Sequence, residues 1–162
     1  MADVYASLIQ AIEDAERQFH RLVLLVGPFG SGKTPILRQL ARDKGYAYVN
    51  VNLTLSQRML ELTRLQRARQ VASLVQDLVA AQDSGVILLD NSEMLFDPAL
   101  QVDPLRLLQS VSRNRTVVVA WNGSYRNETL TYAEPNHPEY REFKDLGAIT
   151  VLMEPATATH SG

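Results

Sequence analysis

Short apolar runs alternate along this chain with longer amphipathic stretches. Leu22–Val26, Val86–Leu89 and Thr116–Trp121 are such runs, and each closes on a polar or glycine position: Gly27, Asp90 and Asn122-Gly123. Runs this short, bounded by turn residues, read as strands buried on both faces of a parallel sheet. Tyr46–Val51 and Ala148–Met153 read as two further strands.

Helices fill the intervals. Asp3 is placed to cap a first helix in which Val4, Leu8, Ile12, Ala15 and Phe19 recur at helical spacing, and which is expected to pack on the sheet. A second runs over Pro35–Lys44 and stops at Gly45. Thr54 or Ser56 caps a long helical stretch reaching Gln82, with Met59, Leu62, Val71, Leu74, Val75, Leu78 and Val79 on its buried side. Asp97-Pro98 and Asp103-Pro104 bracket a loop, after which a helix runs from Pro104 towards Arg113. From Ser124 to Gly147 the pattern weakens: Pro135 and Pro138 interrupt any long helix, and only a short helical segment over Glu139–Lys144 is expected. Strands alternating with helices predict an α/β fold with a mainly parallel sheet and helices on both faces, whose ligands bind beyond the carboxyl ends of the strands. Residues 1–154 read as a single domain and 155–162 as a polar tail.

Composition narrows the function. With 46% hydrophobic and 21% charged residues and a net charge of -2, the chain as a whole has no pull towards nucleic acid or an anionic membrane. Arg58, Arg64, Arg67 and Arg69 do cluster, but one continuous helix would put Arg58 and Arg69 on one face and Arg64 and Arg67 on the opposite one. Solvated faces are the simpler reading, and direct DNA contact is left open. The absence of cysteine excludes disulfides, thiolate metal sites and cysteine nucleophiles, and fits a reducing compartment. No apolar run reaches bilayer length, and Met1-Ala2-Asp3 opens an acidic helix, so a cytoplasmic protein that does not enter the membrane is expected.

The stretch Gly27-Pro28-Phe29-Gly30-Ser31-Gly32-Lys33-Thr34 joins the first strand to the second helix. It has the spacing of a phosphate-binding loop: glycines let backbone N–H groups approach a polyphosphate, and the helix adds its free N–H groups and positive dipole end. Lys33 is placed to meet the β and γ phosphates, the Thr34 hydroxyl to ligate magnesium, and Pro35 is tolerated in the first helical turn. Asp90, ending its apolar strand, has the form of a second magnesium-holding residue. In the following Asn91-Ser92-Glu93, Asn91 can orient water but not take its proton, whereas Glu93 can act as base if the backbone brings it round. Asn122 sits at the end of the fourth strand, where it either contacts the γ phosphate or forms a turn with Gly123. Arg141, Arg113 and Arg115, each preceding a strand, are candidates for an arginine supplied to a neighbouring subunit.

The order of phosphate loop, acidic strand end, Asn122 and final strand resembles the additional-strand class of P-loop ATPases, close to the AAA superfamily. More narrowly, GPFGSGKT, VILLDNSEMLFDP, DPLRLLQSVSRNRTVVVAWNG and LTYAEPNHPEYR resemble the small P-loop protein of BREX bacteriophage-defence systems, the BrxF family. That resemblance covers Leu22–Val151 and implies a five-stranded sheet in the order 5-1-4-3-2. It further implies a cytoplasmic ATPase with ATP and Mg2+ as cofactors, working beside other BREX components to distinguish or block phage DNA, with Lys33, Thr34 and Asp90 keeping the roles given above. The chain departs from full AAA proteins in ending soon after the fifth strand, without a helical lid domain. Three functions follow as expectations: slow magnesium-dependent ATP hydrolysis, a nucleotide-dependent assembly switch with little hydrolysis, and, less favoured, a small-molecule kinase.

Overall fold

The first strand, β1 (Leu22–Gly27), is buried along its whole length because it has a parallel partner on each side and helices over both faces. The computed structural model describes residues 3–153, and the tail expected over 155–162 lies outside the described residues. Around β1 stand β2 (Ala47–Asn50), β3 (Val86–Asp90), β4 (Thr116–Arg126) and, last in the chain, β7 (Ile149–Leu152). The parallel order is β2-β3-β4-β1-β7, which is 5-1-4-3-2 when these five strands are counted along the chain. The register sets Gly27 beside Asn122 and Asn50 beside Asp90, so four chemically distinctive positions end on one edge of the sheet.

Alternation along β1 divides the interior. Leu22, Leu24 and Val26 face a core built with α3 (Val51–Arg58), α4 (Arg64–Ala80) and α5 (Pro104–Val111). Val23 and Leu25 face a second core with α1 (Val4–Ala15) and α2 (Lys33–Lys44). Asp3 caps α1 through its side chain as expected, but the helix ends at Ala15, and Phe19 lies beyond it, 67% exposed.

The long helix expected from Thr54 or Ser56 to Gln82 is two helices, and neither residue is its cap. Asn50 caps α3, accepting from the Leu53 N–H at 3.0 Å. Thr63 opens α4 with a reciprocal pair of bonds: its hydroxyl accepts from the Gln66 N–H, and the Gln66 side chain accepts from the Thr63 N–H. That capping box satisfies two end groups at once and outweighs the apolar periodicity running through the break. The arginine cluster is therefore split between two helices, Arg58 on α3 and Arg64, Arg67 and Arg69 on α4.

The other departure lies after Asn122. Parallel pairing of β4 with β1 stops there, but the strand continues as one arm of an antiparallel hairpin with β5 (Thr129–Tyr132), to which β6 (Arg141–Phe143) adds. The short helix expected over Glu139–Lys144 is not formed, since Arg141–Phe143 pairs with Leu130–Tyr132 instead. Asn127 and Glu128 both take positive φ, 51° and 60°, as a tight two-residue hairpin turn requires. Aromatic packing holds the hairpin to the body: Tyr132 stacks on Phe96 at 3.5 Å between centroids, and the Trp121 indole N–H donates to the Thr131 carbonyl at 2.9 Å. Among the described residues no helix is long and apolar enough to cross a membrane.

Candidate nucleotide-binding site

The loop between β1 and α2 is shaped by its glycines. Gly30 and Gly32 take φ of 80° and 98°, a region closed to most side chains, and Gly32 then serves as N-cap of α2 without any side-chain cap bond. The first N–H groups of α2 are thus uncommitted to a capping side chain, and Pro35 in the first turn removes a donor the helix would not have used. Arg42 and Lys44 in the last turn suit the opposite end of the dipole. Phe29, at the loop's crest, is 88% exposed.

Lys33 is only 7% exposed and folds back under the loop. Its ammonium donates to the carbonyls of Gly27 and Pro28, each at 2.8 Å, and to the Ser31 hydroxyl at 3.2 Å. Burial pushes its pKa down, and the nearby Asp90 and Glu93 carboxylates push it back up. Three acceptors inside the loop therefore hold a cation that a phosphate would satisfy better.

Thr34 and Asp90, from α2 and the end of β3, meet directly: the Thr34 hydroxyl donates to Asp90 Oδ2 at 2.6 Å. The Tyr48 phenol on β2 donates to the same oxygen at 2.6 Å, and the Asn91 N–H to Oδ1 at 2.9 Å. Burial, followed by the bond to Asp90, pushes the Tyr48 pKa up to about 12, so the phenol remains a donor at neutral pH. Asp90 is 3% exposed and, among the described residues, has no ion pair. A buried carboxylate without a direct ion pair, bonded to a hydroxyl, is a hard-oxygen donor set that fits magnesium.

Asn91 takes a positive φ of 52°, and the chain turns there into the 3-10 turn Glu93–Phe96. Glu93 is thereby brought round to the cavity, with both carboxylate oxygens held by amides: Oε1 accepts from Asn52 Nδ2 at 3.1 Å and Oε2 from Asn122 Nδ2 at 2.7 Å. Asn52 does more, since its own N–H donates to the Asn91 carbonyl at 2.8 Å and its Oδ1 accepts from the Met94 N–H at 2.9 Å. One residue in the first turn of α3, through its side chain and its backbone N–H, thus grips the segment that carries Glu93.

A cavity of about 450 Å³ gathers these groups, walled by Phe29, Gly30, Gly32, Lys33, Thr34 and Pro35 on one side and by Asp90, Asn91, Glu93 and Asn122 on the other. A neighbouring cavity of about 380 Å³ shares Phe29, Glu93 and Asn122 and reaches Pro28 and the hairpin residues Tyr132 and Glu134. The three candidate arginines lie away from it. Arg113 covers the Phe19 ring at 4.1 Å, and Arg115 donates to the carbonyls of Val79, near the end of α4, and Gln82, just beyond it, both arginines being at the opposite end of β4. Arg141, on β6, reaches the Val102 carbonyl at 3.5 Å. Tyr48 and Asn52 are the site residues that sequence reasoning missed. The one available signal was position: Tyr48 lies on the strand whose neighbour ends in Asp90, and Asn52 follows just after that strand.

Residues 23–117, more than half of the chain, match the family model described as ATPase family associated with various cellular activities (AAA). The replication factor C large subunit of Pyrobaculum arsenaticum is 24% identical over 140 residues, 86% of this chain and 30% of that protein. The chain thus spans less than a third of the length of this curated relative. Solved structures of Drosophila ORC bound to DNA and of C. elegans PCH-2 are each 18% identical, with TM-scores of 0.49 and 0.46, covering 91% of this chain and 41% of theirs. The phosphate loop and the acidic strand end both lie within the matched segment, and on that match the protein belongs to the AAA family of ATPases.

Proposed function

We propose that this protein binds ATP with Mg2+ at the Gly27–Thr34 loop and hydrolyses it slowly, with residues 1–154 acting as one P-loop domain. The observation that carries the reading is the 2.6 Å bond between Thr34 and Asp90, which joins a loop hydroxyl and a buried carboxylate 56 residues apart at the wall of the Lys33 cavity. Thr34 and Asp90 would hold magnesium, which when bound would offset part of the triphosphate's charge. Lys33 exchanges the loop carbonyls for phosphate oxygens. Glu93 takes the proton of a water that attacks the γ phosphorus, and ADP leaves as the bridging P–O bond breaks.

Slow turnover follows from the same geometry. Both oxygens of Glu93 are already occupied by amide donors, which fix it in place and must yield before it can engage a water. This observation also favours the second reading, a nucleotide-dependent assembly switch in which little ATP is turned over until Glu93 is released. Nucleotide-dependent self-association, with Arg141, Arg113 or Arg115 supplied by the neighbour, belongs to both readings.

The cellular setting we propose is a BREX phage-defence system, alongside its other components, supported by the likeness of the segments Val86–Pro98 and Asp103–Gly123 to the BrxF family. The biochemical test is magnesium-dependent phosphate release by the wild type, lost in Lys33→Ala and Asp90→Ala; equal rates in all three proteins would overturn it. For the setting, a host carrying the defence system should lose phage resistance when the chain is deleted and should not regain it from a Lys33→Ala copy.

A further inference from the structure

We infer that Tyr48 is a positioning residue for the magnesium ion: its phenol, fixed from above by Arg38, locks the Asp90 carboxylate in the orientation the cation needs. The inference rests on the nucleotide-binding reading and deepens it. Tyr48 stands beside Leu88 in the β2–β3 ladder, and residues two apart on a strand share a face, so its side chain reaches one step along to Asp90. There it meets the oxygen that already accepts from Thr34, at the same 2.6 Å.

Two donors on one oxygen and a third, the Asn91 N–H, on the other leave the carboxylate no free rotation. A hydroxyl that ligates a cation through a lone pair still needs an acceptor for its proton, and Asp90 Oδ2 serves Thr34 in that way with or without the cation. The Tyr48 bond is therefore not the one the cation displaces; it holds the acceptor still. Arg38 lies one helical turn after Thr34 on α2, and its guanidinium sits 4.6 Å from the Tyr48 ring centroid. Arg38, Tyr48, Asp90 and Thr34 thus form a chain of contacts that begins and ends on α2 and passes through β2 and β3.

The competing explanation is that the bond to Asp90 merely satisfies a half-buried phenol. The two are separated by fluorescent mant-ATP binding, measured in EDTA and then as a function of magnesium. EDTA affinity reads the loop alone; the gain on adding magnesium reads the cation site. Tyr48→Phe, which keeps the ring beneath Arg38, is expected to leave EDTA affinity within about twofold of the wild type. The half-saturating magnesium concentration is expected to rise about three- to tenfold, as for a lost charge-assisted bond acting through preorganisation. Arg38→Met, which leaves the phenol in place, should move the midpoint the same way by less. An unchanged midpoint in Tyr48→Phe beside a normal magnesium effect in the wild type overturns the inference alone, as does an equal loss of affinity in EDTA and in magnesium. No magnesium effect in the wild type overturns the functional reading, and this inference with it.

Discussion

Lys33, with all three ammonium hydrogens directed at loop acceptors, holds the phosphate loop in a shape close to the one a polyphosphate requires. Glu93 is held just as firmly but by groups that leave its charge intact, so binding and turnover should separate on mutation. Glu93→Gln is expected to cut single-turnover phosphate release about a hundredfold or more while mant-ATP affinity stays within about twofold. A parallel loss of affinity would place Glu93 in binding instead. Asn122→Ala frees Glu93 Oε2 and should raise turnover by about tenfold at unchanged affinity, the size of one hydrogen bond to a charged group. The loop and Asp90 were legible in the sequence because each is a local signal, a spacing or an apolar run with a carboxylate at its end. Tyr48 and Asn52 were not, since what they do depends on partners 42 and 41 residues away that only the sheet register brings near.

At the scale of elements, the three central parallel strands could be read because β1, β3 and the first half of β4 are buried on both faces, the mark of strands with helices above and below. The hairpin could not: Ser124–Tyr132 packs one side on the body and leaves the other to solvent, and its turn lacks the usual glycine. Gly123 is the pivot between the two kinds of pairing. A Cβ there would run into the backbone carbonyl of Thr131. Gly123→Ala should destabilise the protein by about 1–3 kcal/mol, read as a lower denaturation midpoint, and should disturb Asn122 beside it. A midpoint equal to the wild type would show the hairpin to be loosely held. The helix break was in principle legible, since Thr63 and Gln66 have capping-box spacing, but the apolar stripe through Leu62 masked it. Thr63→Ala is expected to cost about 1 kcal/mol and to lower the melting temperature by about 2–4 °C.

For the molecule as a whole, the sheet order and the match to the AAA family describe a scaffold that offers one end of its sheet to a ligand. Among the residues lining the cavity at that end, all are anionic or neutral apart from Lys33. A bound triphosphate therefore leaves negative charge uncompensated within one subunit, which is the physical case for an arginine from a neighbour. Light scattering should show a higher mass with ATPγS and magnesium than without, and a mass that never changes would remove the shared-site model. Nucleotide binding depends above all on the convergence of the loop and Asp90 on one phosphate-bound cation. The most direct measurement is calorimetric titration of ATPγS into wild type, Lys33→Ala and Asp90→Ala, with and without magnesium. The account predicts tight binding to the wild type that weakens sharply without magnesium, loss of binding by at least about a hundredfold in Lys33→Ala, and loss of the magnesium effect alone in Asp90→Ala. Wild-type affinity in Lys33→Ala, or an undiminished magnesium effect in Asp90→Ala, would contradict it.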